Sequence, residues 1–129
     1  MVSFLNPLLH AAAGDLSLRN ERTGLTIATT LLAAFDSKAR RTGLLRHASL
    51  AAGTALIIAP TNAIHTFFMR FAIDVAFVAK DGRVVKVRTA LPPWRVAAAL
   101  GAHAVIELPP GTLGRSDTKP GDRLVIAPR

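Results

Sequence analysis

The run Ile64-His65-Thr66-Phe67-Phe68-Met69-Arg70-Phe71-Ala72-Ile73-Asp74-Val75-Ala76-Phe77-Val78-Ala79 decides how the rest of the chain is read; Lys80-Asp81-Gly82-Arg83 and Val84-Val85-Lys86-Val87 follow it. Phe, Ile and Val crowd it, and these side chains fit a pleated, half-buried surface. From Ile73 to Ala79 both alternating faces are apolar, the pattern of a strand buried on both sides. Asp81-Gly82 is a hairpin signal, because both residue types tolerate positive φ. The spacing therefore predicts a hairpin pairing residues 73–79 with 83–87. His65, Thr66, Arg70 and Asp74 are the polar members, at the edges of a greasy segment. A carboxylate there must find a partner or hold its proton more tightly.

Around this run the chain has 129 residues, half of them hydrophobic, enough for one compact domain with a proper core. Residues 1–14 read as an N-terminal arm and 15–129 as a single domain. The formal charge is +8, and twelve of the sixteen cations are Arg. Such a balance suits anionic partners: nucleic acid, anionic lipid, or phosphorylated and carboxylated small molecules. It equally suits a soluble protein with a basic surface, since the cations are scattered; Lys38, Arg40, Arg41 and Arg46 form the densest group. The absence of Cys excludes disulfides, thiolate nucleophiles, Cys-ligated zinc and iron–sulfur clusters. Apolar runs at 25–35 and 48–60 are too short and interrupted to span a bilayer. Residues 1–14 lack the basic start of a secretory leader, so cytoplasmic location is the default expectation.

In order, 15–19 alternates and reads as an edge strand, 20–24 as a turn, and 25–32 as one returning strand. Asp36 or Ser37 can cap a helix running to about Leu45, although Gly43 weakens its end. Residues 54–59 form a short strand stopped by Pro60. After the central hairpin, Leu91-Pro92-Pro93 closes its second strand, and 94–100 is open between a helical turn and an extended crossing. Residues 103–108 read as a strand and 112–116 as a turn or single helical turn. Pro120-Gly121-Asp122 turns the chain into a last strand, 123–127. The expected class is α+β: a mostly antiparallel small barrel or curled sheet of about seven strands with one packed helix.

Several blocks in this order resemble domain-of-unknown-function family 192. Phe67-Phe68-Met69-Arg70-Phe71-Ala72-Ile73-Asp74 is similar to its core signature of Phe, any residue, Met, a cation, a short link, an aliphatic residue and Asp. Arg40-Arg41-Thr42-Gly43-Leu44-Leu45, Leu91-Pro92-Pro93-Trp94-Arg95, Val105-Ile106-Glu107-Leu108-Pro109-Pro110-Gly111-Thr112 and Gly121-Asp122 resemble further family blocks. The chain departs from the pattern at Ala72, where Pro is common, and at Leu45, where Met is. The resemblance spans about residues 16–127 and implies an α+β, mostly antiparallel barrel-like fold. It implies no activity and no catalytic residue.

The candidate ligand-binding residues are His65, Arg70, Asp74, Trp94 and Arg95. One reading gathers His65, Arg70 and Asp74 in a polar pocket, with Asp74 fixing Arg70 or Arg95 and His65 free to move a proton. The other makes Asp74 a buried acceptor for backbone N–H groups or an Arg. Trp94-Arg95 can present a stacking plane and a cation to a sugar, nucleobase or phosphate, or cap an open barrel end. Met69 with Phe67, Phe68 and Phe71 reads as core packing, and Glu107 as an outward strand residue or a partner for an Arg. No Gly-x-Ser-x-Gly elbow, phosphate loop or dinucleotide fingerprint is present. A metal would need His65, Asp74 and a third ligand from elsewhere, and neither metal nor cofactor is expected. The function expected is a non-enzymatic binding or accessory module for a small anionic or carbohydrate-like ligand. A small hydrolase or isomerase using His65 and Asp74, and a basic nucleic-acid binder, are the alternatives.

Overall fold

The computed structural model describes residues 3–11, 13–42 and 49–129. Among these it has ten strands and three short α-helices. Helix α1 is Asn6–His10, and a 3-10 turn at Ala13–Asp15 leads into β1 (Leu16–Asn20). Strands β2 (Thr26–Ala28) and β3 (Thr30–Ala34), helix α2 (Ser37–Thr42), and strands β4 (Thr54–Ile58) and β5 (Ala63–His65) follow. The central hairpin is β6 (Ile73–Val78) and β7 (Val84–Leu91). After it come β8 (Val96–Ala98), β9 (Ala104–Leu108), α3 (Thr112–Arg115) and β10 (Leu124–Pro128).

Strands β4, β6 and β9 are buried at every residue, as continuous apolar runs require. They form the middle of a five-stranded sheet ordered β3-β4-β9-β6-β7, antiparallel except for the parallel β3–β4 pair. One face, with Ile57, Ala76, Val78, Ile106 and Leu108, packs on Leu16, Leu18, Ile27, Leu124 and Ile126. Those residues belong to a three-stranded sheet ordered β10-β1-β2, apart from the connecting loops. The other face, with Leu56, Ile58, Ile73, Val75, Phe77 and Val105, packs on Leu50, Met69, Leu91 and Ala97. Over it lies a two-stranded ribbon, β5 against β8. The strands form stacked, curled sheets, and no closed barrel is present among the described residues.

The hairpin forms as its spacing predicts. Ala79 N–H donates to the Arg83 carbonyl at 2.8 Å, and Gly82 sits at φ 96. A Cβ on Gly82 would lie 2.4 Å from the Leu124 carbonyl, so the hairpin tip approaches β10 as only glycine permits. Strand β7 runs on to Leu91, past the expected 87.

Three expectations are corrected, and the N-terminal arm, legible as a loose arm or a short extra turn, holds a short helical turn at Asn6–His10. The single strand expected at 25–32 is two strands in different sheets. Its break is at Thr29, where the Thr29 and Thr30 N–H groups both donate to the Gly53 carbonyl, at 2.8 and 3.0 Å. Strand β1 is the centre of its sheet, paired on one side with β10 and on the other with β2. Residues 3–11 of the arm are docked: Phe4 N–H donates to the Lys80 carbonyl at 2.9 Å, and Leu5 is buried in the core. Ten strands replace the expected seven because short pairings such as β5–β8 carry too few residues to show a period. The open segment 94–100 is extended, containing β8. Asp36 caps α2, its Oδ1 accepting Ala39 N–H at 2.7 Å, and the expected continuation at 43–45 lies outside the described residues.

Candidate binding site

Two loops meet at one end of the ribbon. Residues 66–72 join β5 to β6, and residues 92–95 join β7 to β8. Thr66, wholly buried, ties them together. Its N–H donates to the Arg95 carbonyl at 2.8 Å, and its carbonyl accepts from Trp94 N–H at 3.0 Å and Met69 N–H at 3.2 Å. Its Oγ1 donates to the Pro92 carbonyl at 2.7 Å and accepts from Arg95 N–H at 2.8 Å. One small side chain and its peptide thus fix both loops, which buried polar groups can do when fully satisfied.

The loops present rings to solvent. Phe68 is 69% exposed, Trp94 56% and Phe67 36%. Ring centroids lie 5.0 Å apart for His65 and Phe67, 5.8 Å for Phe67 and Trp94, and 4.7 Å for Phe68 and Trp94. The His65 ring is further held by its Nδ1, which accepts Phe67 N–H at 3.2 Å. Phe68 and Trp94 both occupy the left-handed region, at φ 65 and 67. A bulky residue there carries strain of about 1–3 kcal/mol and persists only where surrounding contacts over-determine it. Thr66 supplies those contacts. Arg70 and Arg95 are exposed in the same two loops. The result is a rigid aromatic ledge, with the Arg95 guanidinium donating to the Pro93 and Trp94 carbonyls at 3.4 Å and Arg70 exposed on the other loop.

Of the expected site residues, Arg70, Trp94 and Arg95 lie on these two loops and His65 at the adjoining end of β5, while Asp74 is separate from them. Asp74 is wholly buried, its Oδ1 accepting Ala90 N–H and its Oδ2 accepting Leu113 N–H, both at 2.9 Å. It sits opposite a bulge of β7, where Ala90 has φ 49, and it fastens α3 to the sheet. Neither Arg70 nor Arg95 pairs with it, and exposed His65 has no bond to it. A shared acid–base pocket of His65 and Asp74 is not formed. Among the described residues no three His, Asp or Glu side chains gather as a metal site.

Two further expectations are corrected here. Phe67 and Phe68 are exposed, while Met69 is buried as core packing requires. The Phe-Phe doublet was the available signal: neighbours on an extended chain point to opposite faces, so both rarely enter one core. Glu107 does not face outward. It is 4% exposed on β9 between Leu56 and Val75, and among the described residues its Oε2 has no hydrogen-bond partner. Burial pushes its carboxyl up to about 7. At the far side of the molecule Asp122 is held well below the usual carboxylate range by the Arg22 Nε–H bond at 2.6 Å, with Asn20 and the Lys119 N–H adding bonds. That network pins the last turn to β1.

Solved structures share this fold. A protein from Sinorhizobium meliloti 1021, described as a candidate transcription regulator, superposes with a TM-score of 0.74 at 23% identity, covering 84% of this chain and 89% of that one. A protein of unknown function from Novosphingobium aromaticivorans DSM 12444 gives a TM-score of 0.72 at 22% identity, covering 84% of this chain and 81% of that one. At such identities the likeness shows the fold alone. No curated protein matches the chain. The family model described as Uncharacterized ACR matches residues 18–126, nearly the whole of the sheet system and the ledge within it, and the chain belongs to domain-of-unknown-function family 192.

Proposed function

We propose that this protein is a non-enzymatic binding module that holds an anionic, carbohydrate-like ligand on the ledge. The observation that carries this reading is the exposure of Phe68 and Trp94 on strained backbone, both fixed by buried Thr66. A fold gains nothing for its own stability by displaying two large rings in left-handed positions. A pre-ordered ring loses little entropy on binding. Trp94 offers a stacking face for a sugar ring, and Arg70 and Arg95 offer planar forks for carboxylate or phosphate. The sealed state of Asp74 favours a binding role over acid–base chemistry with His65.

Trp94 is the only tryptophan, so its emission reports on the ledge directly. Titration with uronic-acid oligosaccharides and their neutral counterparts should change the emission, more strongly for the acidic set. Phe68→Ala and Arg95→Gln should each weaken binding by about tenfold. An emission and a melting temperature indifferent to every member of both sets would refute the proposal. Binding to nucleic acid of any sequence, collapsing between low and physiological salt, would replace it with the basic nucleic-acid binder.

A further inference from the structure

We infer that the anionic ligand is displayed on a lipid bilayer, and that the outer face of the β5–β8 ribbon docks on that membrane beside the ledge. The inference rests on the binding role proposed above. It starts from the ribbon's register: Ala63 faces Ala98, Ile64 faces Ala97, and His65 faces Val96. Ile64 and Ala97 turn inward to the core, and Ala63, His65, Val96 and Ala98 are exposed. The alternation carries on to Leu100, which is 93% exposed at the turn closed by Gly101, while Val96 is 62% exposed. Trp94 before β8, Val96 and Ala98 on its outer face and Leu100 in the turn after it are all exposed and apolar. Trp94 in turn meets Phe67 and Phe68 on the ledge. Scattered exposed apolar residues need no explanation, but a contiguous strip of this kind marks an interaction surface.

Charge identifies what the strip meets. The segments 61–73 and 82–106, which build the ribbon, both ledge loops and β7, contain Arg70, Arg83, Lys86, Arg88 and Arg95 and no Asp or Glu. Asp74 and Asp81 fall between these segments; Asp74 is sealed, and Asp81 pairs with Arg123 at 3.7 Å. Lys86 lies against the ribbon, its Nζ donating to the Ala98 carbonyl at 2.8 Å, and Arg88 is exposed further along the same strand. Apolar side chains and a Trp beside Arg and Lys, without carboxylates, match the interfacial layer of an anionic membrane. Among the described residues no helix is long and apolar enough to cross a bilayer, so the contact envisaged is one of lying on the surface.

The test sediments the whole chain with vesicles of phosphatidylcholine alone or with about one third phosphatidylglycerol, with soluble glycerol phosphate as the free-headgroup arm. Binding to the anionic vesicles, with a blue shift of Trp94 emission and shielding from an aqueous quencher, is the expected result. Leu100→Ser and Val96→Ser, both outside the ledge, should each lower vesicle binding by about tenfold and leave the response to soluble acidic sugars unchanged. Anionic-vesicle binding without a blue shift, indifferent to both variants, would reveal loose charge adhesion and overturn the inference. So would a response to glycerol phosphate equal to that to vesicles. No vesicle binding, with soluble acidic sugars still moving Trp94, would overturn this inference and leave the binding role standing. Silence in every arm would overturn both.

Discussion

Glu107 makes the stability of this fold depend on pH in a direction opposite to most carboxylates. Its carboxyl lies on the central strand β9, between Leu56 and Val75, on a face otherwise built from Ile58, Ile73, Phe77 and Val105. Among the described residues its Oε2 has no hydrogen-bond partner, and burial raises its pKa from 4.5 to about 7. The folded protein therefore holds this proton more tightly than the unfolded chain does. Its stability contribution is complete below pH 4.5 and is lost as pH rises through about 7. The shift is worth about 3 kcal/mol in full, and about 2.5 kcal/mol of it falls between about pH 5 and pH 8. Glu107→Gln removes the titration while keeping the shape. Urea unfolding of both proteins across this range checks the claim. The constant offset of the amide cancels, and the variant should gain about 2.5 kcal/mol on wild type from the acid to the alkaline end. A difference between the two proteins that stays flat with pH would show that Glu107 has solvent or a counter-charge, and would refute the reasoning.

Other outcomes follow from the same geometry. Asp74→Ala leaves the Ala90 and Leu113 N–H groups buried without an acceptor, and should lower stability by about 3 kcal/mol; an unchanged urea midpoint would show that the carboxylate is optional. Thr66→Val keeps the shape and removes the Oγ1 bonds to Pro92 and Arg95, so stability should fall by about 2 kcal/mol and Trp94 should become more accessible to a soluble quencher, with Thr66→Ser restoring both. The Asp122 carboxylate, held low by Arg22, contributes stability that is complete above its ordinary 3.8 and is lost as pH falls from there through its depressed folded value; stability curves of wild type and Asp122→Asn should draw progressively together below 3.8, and parallel curves would contradict the assignment.

Much of the fold was legible in the residues themselves. The apolar faces of residues 73–79 called for a strand buried on both sides and residues 103–108 read as a strand, and they are β6 and β9, neighbours in the middle of the large sheet. Asp81-Gly82 placed the hairpin because a glycine at positive φ is a local property, although the loop between Ala79 and Arg83 spans residues 80–82 and only Gly82 in it takes positive φ. Trp94 and Arg95 stood out as a pair behind two prolines, legible either as a face presented to a ligand or as the cap of an open end, and the structure exposes both. What periodicity reports is which faces are apolar, and it carries no information about what covers them. Glu107 alternates as an outward residue should, yet the ribbon and Met69 cover the face on which it lies. Phe68 looked like core because a hydrophobic side chain carries no mark of the left-handed backbone it adopts in the turn that Met69 N–H closes on the Thr66 carbonyl, a turn held in place by the bonds of Thr66 to residues 92–95. The N–H donors to Asp74 come from 16 and 39 residues away, and the break at Thr29 depends on the carbonyl of Gly53. Those features were decided by contacts between distant segments, and such contacts exist only once the sheets have stacked.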